Sequence, residues 1–234
     1  MPVELKKFPV PWFRQQLSYY CGPATAQMVL SHLGFARTQD HLWGLITSKT
    51  VGTRPPNAPP TPGQYPSQHC YDCGNWHCWD TLPQSLALAM NAELPYVRYT
   101  ALHAPTIDAG ITALVDSIRK PPQVPPFATL WAVNHWIVVT GYHAGDDLLP
   151  GMPPVDVAGL PLNGVYINDP QWADDSGTLR LVSTGQFRRA FGLINCGPNT
   201  DRHPIVVGTD LFWLIRILIL IWIKLKWFTM KKDA

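Results

Sequence analysis

Residues 15–24 of the chain read QQLSYYCGPA, a stretch in which a cysteine stands next to the signals of a helix start. Pro23 suits the first turn of a helix and Gly34 suits the position just past its end, so the pattern predicts a helix over residues 22–33. Cys21 stands directly before that helix, where the helix dipole and the free N–H groups of the first turn stabilise a thiolate. The stretch therefore indicates a reactive cysteine at a helix start.

A thiolate nucleophile usually works with a base that a third group orients, and two later blocks supply candidates. His135 opens a β-prone run over residues 136–142, and Asp169 directly follows a second such run over residues 164–168. Two strands joined by a long loop can pair antiparallel, which would make the histidine and the aspartate neighbours. The sequence therefore predicts that His135 and Asp169 form the base and its orienting acid for Cys21.

A second donor for a developing oxyanion is predicted upstream of the cysteine. Gln15 lies six residues before Cys21, and spacing favours it over Gln16. His143 is a rival for the role of base. It lies eight residues beyond His135, about 26 Å away if the strand is extended at ~3.3 Å per residue, so both histidines cannot serve one thiolate.

These blocks resemble the papain-like cysteine peptidases, and within them the bacteriocin-processing, double-glycine-leader peptidases and their stand-alone relatives. The resemblance covers roughly residues 10–192 and rests on three blocks: Gln15 with Cys21-Gly22-Pro23-Ala24, His135-Trp136-Ile137-Val138-Val139, and Tyr166-Ile167-Asn168-Asp169-Pro170. It implies that Cys21 is the nucleophile, His135 the base, Asp169 the third member and Gln15 the oxyanion glutamine. It also implies hydrolysis of a peptide bond through a thioester, with no cofactor.

The predicted fold class is α+β, because helical patterns come first along the chain and strand patterns follow. Besides 22–33, helices are predicted at 38–46, from Asp80 or Thr81 to residue 90, at 107–119 and at 186–191. Strands are predicted at 96–101, 127–133, 136–142, 164–168 and 178–183. We expect N-terminal helices that carry the cysteine and a C-terminal antiparallel sheet that carries His135 and Asp169.

The chain departs from the family pattern in two segments of the predicted domain, which spans residues 1–200. Residues 47–79 and 144–163 look like insertions that would line a substrate groove, so leader specificity is not carried over. The first includes candidate metal ligands of the kind that zinc prefers, although local packing or a redox-dependent disulfide is favoured over metal. These candidates are Cys70, Cys73, His77 and Cys78.

The remaining segment, residues 201–234, is predicted to be an apolar and basic tail. Leu211 to Ile223 is apolar except for Arg216, which is shorter than the roughly 20 residues that a span needs. We expect residues 205–230 to contact a membrane surface, either as an associated tail or as a short span. A strand or helix covered by a partner protein is the second alternative, and a non-native extension is the third.

Net charge and the N-terminal sequence exclude some classes of function but do not identify one. The formal charge is +2, which gives no reason to expect nucleic acid as a partner, and the first residues lack the apolar run of a secretory signal. A cytoplasmic location is therefore expected. The favoured function is a cysteine peptidase, acting as a processing protease or a protein-cleaving effector on a peptide or protein. The alternatives are an acyltransferase or amidase on the same fold, or an inactive peptide-binding module.

Overall fold

The computed structural model describes residues 4–49, 81–130, 135–145, 155–157, 160–174, 177–192 and 203–210. The helices in these ranges are α1 (Cys21–His32), α2 (Gln39–Ser48), α3 (Pro83–Glu93), α4 (Ile107–Arg119) and α5 (Thr184–Ala190). The strands are β1 (Glu4–Lys7), β2 (Val97–Ala104), β3 (Phe127–Leu130), β4 (His135–Ala144), β5 (Val155–Val157), β6 (Leu160–Asn168), β7 (Arg180–Ser183) and β8 (His203–Asp210).

The strands of the described ranges form one antiparallel sheet. Its order is β2-β8-β3-β4-β6-β5, while β1 pairs with β4 and β7 pairs with β6. Helices α1, α2 and α3 come before all of its strands except β1, and this combination of helices with an antiparallel sheet confirms the predicted α+β class. Strand β4 is the centre of the arrangement, because it pairs with β1, β3 and β6.

Helices cover both faces of the sheet, and the alternation of side chains along β4 shows which helices lie on which face. Trp136 and Val138 pack in a cluster with apolar residues of α1, α2 and α3. Ile137 and Val139 point the other way and pack in a cluster with α4 and α5. Both clusters are buried, which explains why the sequence of β4 is almost continuously apolar.

The predicted tail requires a correction at its beginning. Residues 203–210 form β8, which lies between β2 and β3 within the sheet. Ile205 and Val206 are fully buried there, so this part of the predicted tail is packed into the sheet. The remainder of the tail, residues 211–234, lies outside the described residues. None of the helices in the described ranges is both long and apolar enough to cross a membrane.

The structure describes part of the second predicted insertion, residues 144–163, but little of the first, residues 47–79. Helix α2 extends through Ser48, and residues 50–80, which include the metal candidates Cys70, Cys73, His77 and Cys78, lie outside the described residues. In the second insertion, Val155–Val157 and Leu160–Asn168 pair with each other as strands of the sheet. Part of that segment is therefore built into the domain.

Candidate active site

The register between β4 and β6 brings the two predicted partners of the cysteine together. Val138 lies opposite Asn168, so the chain that leaves β6 runs on toward the start of β4. There the Nε2 atom of His135 is 2.7 Å from Oδ1 of Asp169, and both side chains are buried. Cys21 is the second side-chain hydrogen-bond partner of this imidazole.

Asp169 is held by several donors besides the histidine. The N–H of Gln171 donates to Oδ1 at 2.9 Å, and Nε1 of Trp172 donates to Oδ2 at 3.0 Å. The Trp12 indole donates to the backbone oxygen of Asp169 at 2.8 Å. Burial by itself raises the pKa of this carboxyl, but the hydrogen bonds and the charge of His135 outweigh it and lower the pKa below its ordinary value. Asp169 is therefore an anion with a fixed orientation.

Cys21 is the first residue of α1 and is buried. The preceding residue, Tyr20, makes no side-chain hydrogen bond to the first turn, so no cap competes for the N–H groups beside the sulfur. Thr81 packs directly over the next residue, Gly22, where a Cβ atom would lie 2.3 Å from the Thr81 hydroxyl oxygen. The backbone oxygen of Thr81 in turn accepts a hydrogen bond from the Trp136 indole at 2.9 Å. The helix start is thus fixed against β4.

The protonation of His135 reflects its position between two groups. Burial lowers its pKa, but hydrogen bonds to Asp169 and Cys21, together with their negative charges, raise it to about 9. An imidazole with this pKa is protonated at neutral pH. The arrangement can therefore stabilise a thiolate beside a cationic ring, and that ring can later give its proton to a leaving amine.

Gln15 lies in the irregular segment before α1 and is tied to the turn after Asp169. Its backbone N–H donates to the Pro170 oxygen at 2.9 Å, and its side-chain Nε2 donates to the Ser18 oxygen at 3.0 Å. Its Oε1 atom is buried and has no hydrogen-bond partner among the described residues. Gln16, the competing candidate, is exposed. Of the two glutamines, Gln15 is the one that joins the His135–Asp169 side of the site.

The rival base, His143, is placed elsewhere. It lies near the opposite end of β4, across from Leu5 of β1 and Gly164 of β6. The structure does not bring it to Asp169, which is engaged by His135 instead.

Sequence reasoning missed several residues that support the site. Trp12 and Trp172 hold Asp169, Thr81 covers Gly22, and Gln39 binds the segment that carries Gln15. The contacts of Trp12, Thr81 and Gln39 join segments that lie far apart in the sequence, so they exist only in the folded chain. The tryptophan after Pro170-Gln171 was a usable signal, since an indole three residues past an acidic group can reach back to it. Within the described ranges, no group of three or more His, Cys, Asp or Glu side chains is arranged to hold a metal ion.

Solved structures of peptidases resemble the chain at low sequence identity. A double glycine motif protease from an AMS/PCAT transporter, in complex with the leader peptide, is 14% identical, with a TM-score of 0.44 over 87% of this chain and 94% of its own. The peptidase domain of Streptococcus ComA, a bi-functional ABC transporter, is 14% identical, with a TM-score of 0.46 over 86% and 98%. A protein from Bacillus anthracis described as a C39-like peptidase is 16% identical, with a TM-score of 0.47 over 87% and 97%.

No curated protein matches the chain. A match to a protein family covers most of the sequence and includes the blocks around Cys21, His135 and Asp169. From residue 7 to residue 197 the chain matches the Peptidase_C39 like family. The chain therefore belongs to this family, and it is a cysteine peptidase with a papain-like fold.

Proposed function

We propose that the protein hydrolyses a peptide bond in a peptide or protein substrate, with Cys21 as the nucleophile. His135 serves as acid and base, Asp169 orients it, and Gln15 supplies an oxyanion donor. One observation carries this proposal: the His135 ring is buried between Cys21 and Asp169 and hydrogen-bonds to both. A buried histidine with only a structural role has no need of a thiol at a helix start on one side and a fixed carboxylate on the other.

The reaction begins when the Cys21 thiolate attacks the carbonyl carbon of the scissile bond. The negative charge that develops on the carbonyl oxygen is stabilised by the Cys21 backbone N–H and by the side chain of Gln15. One N–H of the Gln15 amide is bound by the Ser18 oxygen, which leaves the second for the substrate. The amide is thus oriented before the substrate arrives.

His135 completes both halves of the reaction. As the tetrahedral intermediate collapses, the carbon–nitrogen bond breaks and the imidazolium gives its proton to the leaving amine, which leaves a thioester on Cys21. The neutral imidazole then takes a proton from water, the hydroxide attacks the thioester, and the acid product leaves. Asp169 stabilises the imidazolium at each stage, because its carboxylate accepts from Nε2 throughout.

Alkylation of Cys21 by iodoacetamide, measured across pH by mass spectrometry, tests the thiolate–imidazole pair. We expect Cys21 to be alkylated faster than Cys196 at acidic and neutral pH, and to lose that advantage in His135→Ala. Cleavage of a peptide library, with products read by mass spectrometry, gives the activity of the same two proteins. If Cys21 reacts no faster than Cys196 and His135→Ala changes nothing, the proposal fails, and a peptide-binding module without catalysis takes its place.

A further inference from the structure

Gln39, the first residue of α2, makes three hydrogen bonds with its buried side-chain amide. Its Oε1 accepts from the N–H of Gln16 at 2.9 Å, and its Nε2 donates to the backbone oxygen of Arg14 at 2.8 Å. The second N–H of the amide donates to Oε1 of Gln27 on α1 at 3.0 Å. The amide therefore holds the peptide groups on both sides of residue 15 and is itself anchored to the helix that begins at Cys21.

The segment around Gln15 needs such an anchor because burial does not fix it. Arg14, Gln16 and their successors through Ser18 are exposed, and they belong to no helix or strand. From the other side, the N–H of Gln15 donates to the Pro170 oxygen. The backbone at residue 15 is thus held by hydrogen bonds to α2 on one side and to the turn that follows Asp169 on the other.

We propose that Gln39 is a positioning residue that sets the oxyanion donor of Gln15. An oxyanion donor is effective only within about 2.7–3.1 Å of the developing charge, so a shift of about 1 Å in an unburied segment removes most of its benefit. Gln39 fixes residues 14 and 16, which determines the backbone conformation of Gln15 and hence where its side chain starts. This inference rests on the proposed role of Gln15 in the proposed function.

Two small reagents separate this role from general support of the site. p-Nitrophenyl acetate acetylates Cys21: the sulfur–carbon bond forms, p-nitrophenolate leaves, and an oxyanion develops on the way. Iodoacetamide alkylates the same sulfur with loss of iodide and develops no oxyanion. The ratio of the two rates at Cys21, measured by mass spectrometry with Cys21→Ala as the blank, therefore reports oxyanion stabilisation without a peptide substrate.

The variants are Gln15→Ala, Gln39→Ala, their combination, and Gln39→Met, which keeps the length of the side chain but loses all three hydrogen bonds. We expect Gln15→Ala and both Gln39 variants to slow acetylation by about 10-fold or more while alkylation stays within about 2-fold. The double variant should be no slower than Gln15→Ala alone, because Gln39 acts through Gln15.

Asn91 provides a matched control, because its side-chain amide also makes hydrogen bonds to backbone groups of a distant segment. Its amide donates to the Tyr99 oxygen at 2.9 Å and accepts the Tyr99 N–H at 2.6 Å, so it joins α3 to β2 much as Gln39 joins α2 to residues 14–16. Strand β2 is separated from β4 by β8 and β3. We expect Asn91→Ala to leave the ratio of the two rates unchanged.

The inference is overturned by unchanged acetylation in both Gln39 variants, by effects of Gln15→Ala and Gln39→Ala that multiply, or by failure of both Gln39 variants to fold while Asn91→Ala folds. The last result would assign Gln39 a structural role. A parallel loss of acetylation and alkylation also contradicts it, because the damage would then lie at the thiolate. Failure of the proposed function gives a different result, since the alkylation rate of Cys21 would then be the same in the wild type and in His135→Ala.

Discussion

At the scale of single residues, His135 is subject to opposing influences on its pKa. Burial lowers the pKa, whereas Asp169 and Cys21 together raise it to about 9. Asp169→Asn keeps the size of the side chain but removes one negative charge, so we expect the pKa of His135 to fall. An NMR titration of the imidazole measures this, with its resonance assigned by its absence in His135→Ala. Deprotonation near pH 9 is expected in the wild type and at lower pH in the variant.

His32 on α1 is an internal control in the same titration. Its pKa is lowered chiefly by burial, and neither Asp169 nor Cys21 contributes to the shift. It should titrate identically in both proteins. If His135 itself titrates unchanged in Asp169→Asn, the carboxylate does not supply the charge that the proposed mechanism requires.

The single residues of the candidate site also show which positions can be predicted from the nearby sequence and which cannot. Cys21, His135 and Asp169 stand beside helix and strand signals that can be recognised within ten residues, so their placement was predictable, while their catalytic roles stay proposals. Gln39 was not predictable, because it binds backbone groups 23 and 25 residues away. A glutamine that bonds to peptide groups leaves no pattern in the sequence, since any backbone offers the same partners.

At the scale of elements, the start of α1 depends on the absence of a side chain at Gly22. A Cβ atom there would lie within 2.6 Å of three side-chain atoms of Thr81. We expect Gly22→Ala to lower the free energy of unfolding by about 1–3 kcal/mol, because the contact forces Thr81 away from the helix. Urea denaturation measures the change, and the alkylation rate of Cys21 shows whether the surroundings of its sulfur change as well.

Gly44 in α2 is the control for helix propensity. It is exposed, and a Cβ atom there would meet nothing within 4 Å. Gly44→Ala should therefore stabilise the protein by about 0.5–1 kcal/mol. Stabilisation by both substitutions would mean that Thr81 adjusts without cost and that the packing over Cys21 is loose.

Element boundaries were predicted best where a cap is visible in the sequence. Helix α4 spans Ile107–Arg119 as predicted, and the Thr106 hydroxyl accepts the Ala109 N–H at its start. The start of α3 is later than predicted, since Leu82 is the cap and Pro83 is the first helical residue. Helix α5 begins two residues earlier than predicted, because Gln186 is the third residue of a capping box that Ser183 opens.

At the scale of the whole molecule, β8 makes the sheet continuous. Ile205 on this strand is fully buried and packs in the cluster on the α4 and α5 face. We expect Ile205→Ala to lower the free energy of unfolding by about 2–5 kcal/mol, as for other core truncations. Leu181→Ala on β7 removes a similar side chain that is 45% exposed, and it should cost clearly less. Equal effects in urea denaturation would contradict the central role of β8.

The position of β8 could not be predicted, for a physical reason. Its residues are apolar and lead directly into a longer apolar stretch, so composition assigned them to a tail. What makes them a strand is pairing with β2, in which Val97 lies opposite Asp210 and Ala104 opposite His203. Strands about a hundred positions apart along the chain leave no periodic pattern in the sequence that reveals their pairing. The pairing of β4 with β6 was easier to predict, because His135 starts β4 and Asp169 directly follows β6.

The central place of β8 also bears on how the protein is made. Strand β2 is synthesised long before residues 203–210, yet its neighbour in the sheet, β8, exists only once those residues have left the ribosome. Pairing over such separations is slow, since the entropy of closing a long loop is lost before any stabilising contact forms. Cys21 and His135 are both synthesised before residues 203–210, so both are present in the nascent chain before the sheet is complete. The sheet that carries His135 is therefore completed only after residues 203–210 have been made.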